Sequence, residues 1–521
     1  MQYNLKPLIV VMAIALAVFV LAKPFVLRFT APEDYARRRN VWIVLTLVGF
    51  LSPTFWIYAV VALALLAWAA KKVSNPPALY AMMLHVVPPI GFYIPMVGIN
   101  QLFQLNNYRI LSLAILLPFA VRLFRSQPPA GSRLRRVADV CLIGFVALQL
   151  VLLVPYESYT HTLRRAFLLL LDVGVIYYAF SRGCTGRRAI HDVMATFCLT
   201  CVFFATVAVF ETLKGWLLYQ GLGEVWGVPI EFAFLLRGES LRAQVSLGHS
   251  LPLGYTLAIG FAFALYLAQW TRSRTITMVL AAWLWLGLLA AYSRGPWLVA
   301  AVAFFTFVAL QPSGLVRFVK YGFLALVAAG VVLLSPIGGR VIHSLPFVGT
   351  IDTETVDYRQ RLAELSWTLI KQNPVFGNPF VLTQMEELRQ GQGIIDLVNS
   401  YAAIALLYGL GDLLLFVGVF AAALATAARM SRRWAGTDLD VSALGACLVA
   451  CILGTLVMLA VGSFGTGLAW TSWLLAGLAA GYGEMDESPE FVPVPETPLE
   501  SPPGLPAGRL RAGSGWAGTG G

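Results

Sequence analysis

Apolar runs, many long enough to cross the hydrocarbon core of a bilayer as a helix, recur along this chain as far as residue 482. The one long polar interruption is 338–400, which carries Arg359, Arg361, Glu364 and Lys371. A chain patterned in this way cannot hide its apolar surface inside a water-soluble globule. Of its 521 residues 59% are hydrophobic and only 12% charged, and the mean hydropathy is +0.76. The expected fold class is an all-α, polytopic transmembrane helical bundle. Segment 338–400 then lies in water beside the lipid bilayer and is the first place to look for chemistry.

A formal charge of +11 would point to nucleic acid in a soluble domain. Here it follows from Lys and Arg gathering in cytoplasmic loops, and no nucleic-acid partner is expected. The six cysteines fall in apolar runs or, for Cys184, in a basic loop, so no disulfide framework is implied. Cys198 and Cys201 have the spacing of a redox or metal pair, yet no other ligands accompany them, and helix packing is the simpler reading. The first run, 7–27, is broken only by Lys23 and reads as a retained helix rather than a cleaved signal.

From residue 111 onward the expected spans are 111–123, 137–155, 167–180, 193–213, 251–270, 276–292, 297–310, 321–334, 401–426, 441–461 and 469–482. Crossing each once puts five basic loops on one side, the cytoplasm: those around Arg125 to Arg136, Arg182 to Arg188, Arg272 and Arg274, Arg317 and Lys320, and Arg429 to Arg433. The opposite side receives 156–166, 214–250, Ser293-Arg294-Gly295, 338–400 and 462–468. Arg164 and Arg165 run against this scheme. In the first hundred residues, 41–70 contains Pro53 and has basic flanks, so it reads as one long tilted helix or as a hairpin with both ends cytoplasmic. Segment 82–99, with Pro88, Pro89 and Pro95, reads as broken or interfacial. The total comes to about 14 spans. Residues 1–125 are N-terminal transmembrane segments, 126–482 the core, and 483–521 a disordered Pro/Gly-rich acidic tail.

Arg294 stands at the tip of a hairpin between short spans, near the hydrocarbon boundary, where a guanidinium needs an anionic partner. A planar, permanently charged fork suits phosphate oxygens. Its plain alternative is a salt bridge or a snorkelling anchor. Four motifs then follow in order: Arg242 with Gly248-His249 and Pro252-x-Gly254; Ser293-Arg294-Gly295-x-Trp297; Arg361-x5-Trp367-x6-Pro374-x-Phe376-Gly377; and Asn399-x-Tyr401-x7-Gly409-Leu410. Together they resemble the O-antigen ligase and polysaccharide polymerase family of bacterial membrane proteins, over roughly 230–425.

The resemblance implies a glycosyltransferase-C-like bundle in the bacterial inner membrane. It also implies a metal-independent transfer of a glycan from an undecaprenyl-diphosphate donor to a saccharide acceptor on the periplasmic face. Arg242 and Arg294 match arginines that hold the donor diphosphate, with Arg361, Arg237 and Asn399 as further substrate-binding candidates. The family places a histidine immediately before that asparagine, and this chain has Val398. Asp396 and His249 are the replacement base candidates, with His343 on the same face; the plain alternative for Asp396 is a solvated loop acid. Tyr408 replaces an acidic residue before the Gly-Leu pair, and Asp412, one turn on, is either functional or a helix-pairing hydrogen-bond partner. No cofactor is expected. The competing expectations are a polysaccharide or lipid transporter or flippase, for which Asp172, Glu211 and Asp412 would mark a pathway, and a non-catalytic subunit of an envelope complex.

Overall fold

An apolar chain in lipid has to close its backbone hydrogen bonds within each segment, and the fold is accordingly all-α. The computed structural model describes residues 2–96, 101–126, 131–227, 235–237, 240–270, 274–312, 314–334, 353–389, 395–465 and 467–485. His343 and most of the expected tail lie outside them. The helices are α1 Gln2–Val26, α2 Pro32–Leu51, α3 Phe55–Lys72, α4 Pro76–Met83, α5 Asn107–Leu111, α6 Leu117–Arg125, α7 Arg133–Leu153, α8 Tyr159–Leu169, α9 Val175–Gly183, α10 Arg187–Lys214 and α11 Gln220–Val225. They continue as α12 Ser250–Leu267, α13 Arg274–Ala290, α14 Arg294–Ala309, α15 Gly314–Leu334, α16 Thr353–Gln372, α17 Ser400–Trp434, α18 Leu439–Val461 and α19 Leu468–Tyr482. Short π-helical turns join α5 to α6 and α8 to α9. Two two-stranded ribbons pair β1 Phe92–Tyr93 with β2 Gln104–Leu105, and β3 Leu236–Arg237 with β4 Ser240–Leu241. Among the described residues eight helices are long and apolar enough to cross a membrane, and Met1–Glu487 form one compact unit.

Segment 41–70 is a hairpin. Pro53 lacks the N–H that would continue α2, which ends at Leu51, and α3 starts four residues later. The two far ends meet, where Arg37 Nη1 donates to the Lys72 carbonyl at 2.7 Å. In segment 82–99 the described part, 82–96, is broken: α4 ends at Met83, and Leu84, Val86 and Val87 beyond it are at most 1% exposed.

One end of the bundle is stapled by ion pairs. Arg38, fully buried, forks onto Asp192 at 2.7 and 2.8 Å. The same carboxylate accepts from Thr30 and from Asn75, the N-cap of α4. A buried guanidinium is tolerable because it is paired bidentately. Arg182 pairs with Asp139 and Arg187 with Asp438 at the same end. At the opposite end Arg164 donates to the carbonyls of Leu102 and Gln101, so it serves a loop backbone there. Cys201 faces Gly260, where a Cβ would come within 2.4 Å of its sulfur, and Cys198 donates to the Gly260 carbonyl. These two cysteines let α10 and α12 approach closely.

Candidate functional site

The first wall of the site is the segment that enters α12. The backbone N–H of Ala243 donates to Ala290 O at 3.1 Å, which ties this segment to the end of α13. Val245 has φ of 51°, a left-handed conformation that a β-branched residue rarely adopts. Glu211, fully buried at the end of α10, holds it there. One carboxylate oxygen accepts from the N–H groups of Gln244 and Val245 at 3.0 and 2.9 Å, and the other accepts from Leu218 N at 3.0 Å. Three donors make the burial of this acid tolerable. Gly248, at φ of 77°, ends the 3-10 turn Val245–Leu247, and His249 caps α12 by accepting Leu251 N on Nδ1 at 3.2 Å.

Burial lowers the His249 imidazole to about 4, and the Arg242 cation beside it pushes in the same direction. The ring is therefore neutral near pH 7. With Nδ1 engaged as an acceptor, its proton sits on Nε2. This histidine can donate a hydrogen bond into the site, but it is poorly prepared to remove a proton.

The second wall is the α13–α14 hairpin. Its turn is 291–293, with Tyr292 at φ of 44°, and Arg294 opens α14. Trp297 Nε1 donates across the turn to Leu288 O at 3.1 Å. Gly254 lies against Pro296, where a Cβ would come within 2.7 Å, so the absence of a side chain is what lets α12 meet α14. Gly295 lies against Val461, and Ser400 Oγ donates to Gly462 O at 2.6 Å. The motifs around Arg242, Arg294 and Asn399 thus meet at one end of the bundle, opposite the ion-paired end.

The third wall comes from the polar interruption, which folds against α17. Helix α16 is amphipathic: Leu362, Leu369 and Ile370 form a small core with Val381, Met385, Leu388, Ala405 and Leu406. Segment 374–378 is wedged into a break in α17 at Gly409, whose φ of 82° and ψ of 176° are open only to glycine. Leu410 N donates to Pro374 O and Asn378 N to Leu406 O, both at 2.8 Å, which satisfies groups that the break frees. Gly377, at φ of 64°, faces Gly409; a Cβ on either would lie within 2.5 Å of backbone atoms.

Between α16, the start of α17 and the end of α18 is a cavity of about 260 Å³, lined in part by Arg359, Ser366, Trp367, Val398, Asn399 and Val461. Asn399 caps α17, its Oδ1 accepting from Tyr401 N and Ala402 N at 3.0 and 3.1 Å. Asp396 is held by Tyr358, whose hydroxyl donates to Asp396 O and accepts from Asp396 N. Burial raises the Asp396 carboxyl above the usual range, and the Arg359 cation partly opposes the shift.

Arg361 is exposed and does not line this cavity; Arg359 does. Two residues along a helix turn a side chain by about 200°, so the two arginines face opposite ways. The spacing of Leu362, Leu369 and Ile370 carries that signal, since it puts Arg359 on the apolar face. Arg237 lies in β3, paired with Ser240.

Two of the acids set within spans bond side chains of other helices. Arg109 forks onto Asp172, with Nη2 to Oδ2 at 2.8 Å. Gln149 of α7 donates to Asp412 of α17 at 3.0 Å, the helix-pairing bond that is one of the two roles open to that residue. Among the described residues no group of three or more His, Cys, Asp or Glu could hold a metal ion. Among the described residues the fold is a set of membrane-length apolar helices with a partly enclosed cavity at one end, which Arg359 helps to line. No family model matches the sequence, and no curated protein matches it either.

Proposed function

We propose that this protein is an integral-membrane glycan transferase of the bacterial inner membrane, a bundle of about 14 spans with glycosyltransferase-C-like architecture. Its donor is a glycan on undecaprenyl diphosphate, its acceptor is a saccharide, and its working face is periplasmic. The observation that carries the reading is the meeting of the Arg242, Arg294 and Asn399 segments at one end of the bundle. In this reading Arg242 and Arg294 grip the diphosphate. The acceptor oxygen bonds to the anomeric carbon as its bond to phosphate breaks, and the cations stabilise the charge that develops on the leaving diphosphate. Asp396 takes the acceptor proton, since Nδ1 of His249 is already engaged in capping α12. Val398 in place of the family histidine favours polymerisation over ligation. A transport pathway is disfavoured because Asp172, Glu211 and Asp412 are committed to packing partners.

The test is an assay of the purified protein with an undecaprenyl-diphosphate oligosaccharide and a saccharide acceptor. Elongated product is expected from the wild type and not from Arg294→Ala or Arg242→Ala proteins that still insert. Equal product from both variants would refute the site assignment. No product from the wild type would favour the non-catalytic subunit.

A further inference from the structure

A second cavity, of about 560 Å³, lies at the ion-paired end between α6, α7 and α9. None of its lining residues belongs to the site described above. Its walls are almost wholly apolar, with Leu117, Val121, Ile143, Leu170 and Val175 among them. Several of these residues, and their neighbour Phe124, are open to the outside: Phe124 is 73% exposed, Ile143 68% and Leu170 49%. In a bundle surrounded by lipid, such a flank faces acyl chains, so the cleft opens sideways into the bilayer.

Its polar groups sit at one end only. Arg125 closes α6, and Arg182, near the end of α9, bonds Asp139 at 2.5 and 3.0 Å and lies 4.6 Å from the centre of the Tyr178 ring. Two arginines against one aspartate leave the rim cationic, and Arg122 adds to it from the same turn as Arg125. From Arg182 back to Leu170 the wall runs about 18 Å along the helix, at 1.5 Å per residue. That is about the depth of one leaflet of a hydrocarbon core about 30 Å thick. Gly174 adds no side chain to the groove, and a Cβ built there meets only Leu170 Cδ1 within 4 Å, at 3.4 Å, so a larger side chain has room to enter it.

We propose that this cleft is a binding site for one anionic phospholipid, with an acyl chain along the groove and the phosphate at the Arg125–Arg182 rim. Apolar length matched to one leaflet selects a lipid tail, and a cationic rim at the headgroup level selects a negative headgroup.

The test is native mass spectrometry of the delipidated full chain, titrated separately with phosphatidylglycerol and phosphatidylcholine of identical acyl chains. The wild type is expected to bind its first phosphatidylglycerol at least about fivefold more tightly than phosphatidylcholine, the preference that one arginine near a membrane surface supplies. Gly174→Phe fills the groove and is expected to abolish this first site for both lipids. Ala120→Phe, on the facing helix, is the second filling variant should the first fail to fold. Arg125→Gln is expected to reduce the preference, weakening phosphatidylglycerol more than phosphatidylcholine. Equal binding of the two lipids by the wild type, or an unchanged first site in a filling variant that unfolds at the wild-type temperature, would overturn the proposal.

Discussion

The two ends of the bundle are held by different devices. At the basic-loop end, side chains hold side chains: Arg38 with Asp192, Arg182 with Asp139, and Arg187 with Asp438 join helices that are far apart in sequence. At the other end the backbone carries the load. Glu211 binds three main-chain donors, Leu410 and Asn378 bond across a helix break, and three glycines sit where a Cβ would collide with a neighbouring segment: Gly254, Gly377 and Gly409. The ion pairs at the basic-loop end are structural. Losing a staple should cost folding, whereas losing Arg242 or Arg294 should cost activity.

Substitutions can break or sharpen that contrast. The largest stability effect is expected from Arg38→Ala, which strands Asp192 in a buried site and should cost about 3–5 kcal/mol in unfolding measurements on the purified protein. Next comes Arg294→Ala or Arg242→Ala, each expected to lower transfer about 10²–10³-fold, the loss that follows removal of one preorganised charge-stabilising donor. Their unfolding temperatures should stay near that of the wild type. A large drop there would erase the distinction between the two ends.

Gly409→Ala should cost more than Gly215→Ala. Gly215 is in the left-handed region, worth about 1–2 kcal/mol against alanine, whereas the backbone angles of Gly409 are open only to glycine and a Cβ there also falls within 2.1 Å of Val375 O. Equal losses would mean that the wedge at 374–378 does not grip the helix break. The smallest effect concerns pH. If Asp396 is the base, transfer falls as pH drops through its raised pKa, so the acid limb of the profile lies above the ordinary carboxylate range. Arg359→Gln removes the cation that opposes the shift and should move the limb further up. Asp396→Asn should abolish it.

Much of the architecture could be read from the apolar runs, because lipid imposes length and composition on each helix; α10, α12 and α18 start and end within a few residues of the expected spans, apart from the longer start of α10. Contacts set by tertiary proximity were not legible. Nothing in sequence links Arg38 to Asp192, 154 residues away. The expected span 401–426 is a 35-residue helix broken at Gly409, and only the wedge from 374–378 explains why the break is stable. Gly248-His249 was legible as a motif, but not as a left-handed turn followed by a helix cap. At the site, the helical period that sets Arg359 rather than Arg361 on the cavity side of α16 is present in the buried leucines.

The most direct test is the sidedness of the cationic site. Arg242→Cys, Arg294→Cys and Arg359→Cys proteins, with Arg187→Cys as the reference from the opposite end, would be treated in intact cells and in permeabilised cells with a membrane-impermeant maleimide. The first three should be labelled from outside, and Arg187→Cys only after permeabilisation. Labelling of Arg294→Cys from the cytosolic side alone would contradict an outward-facing site that gathers Arg242, Arg294 and the Arg359 cavity.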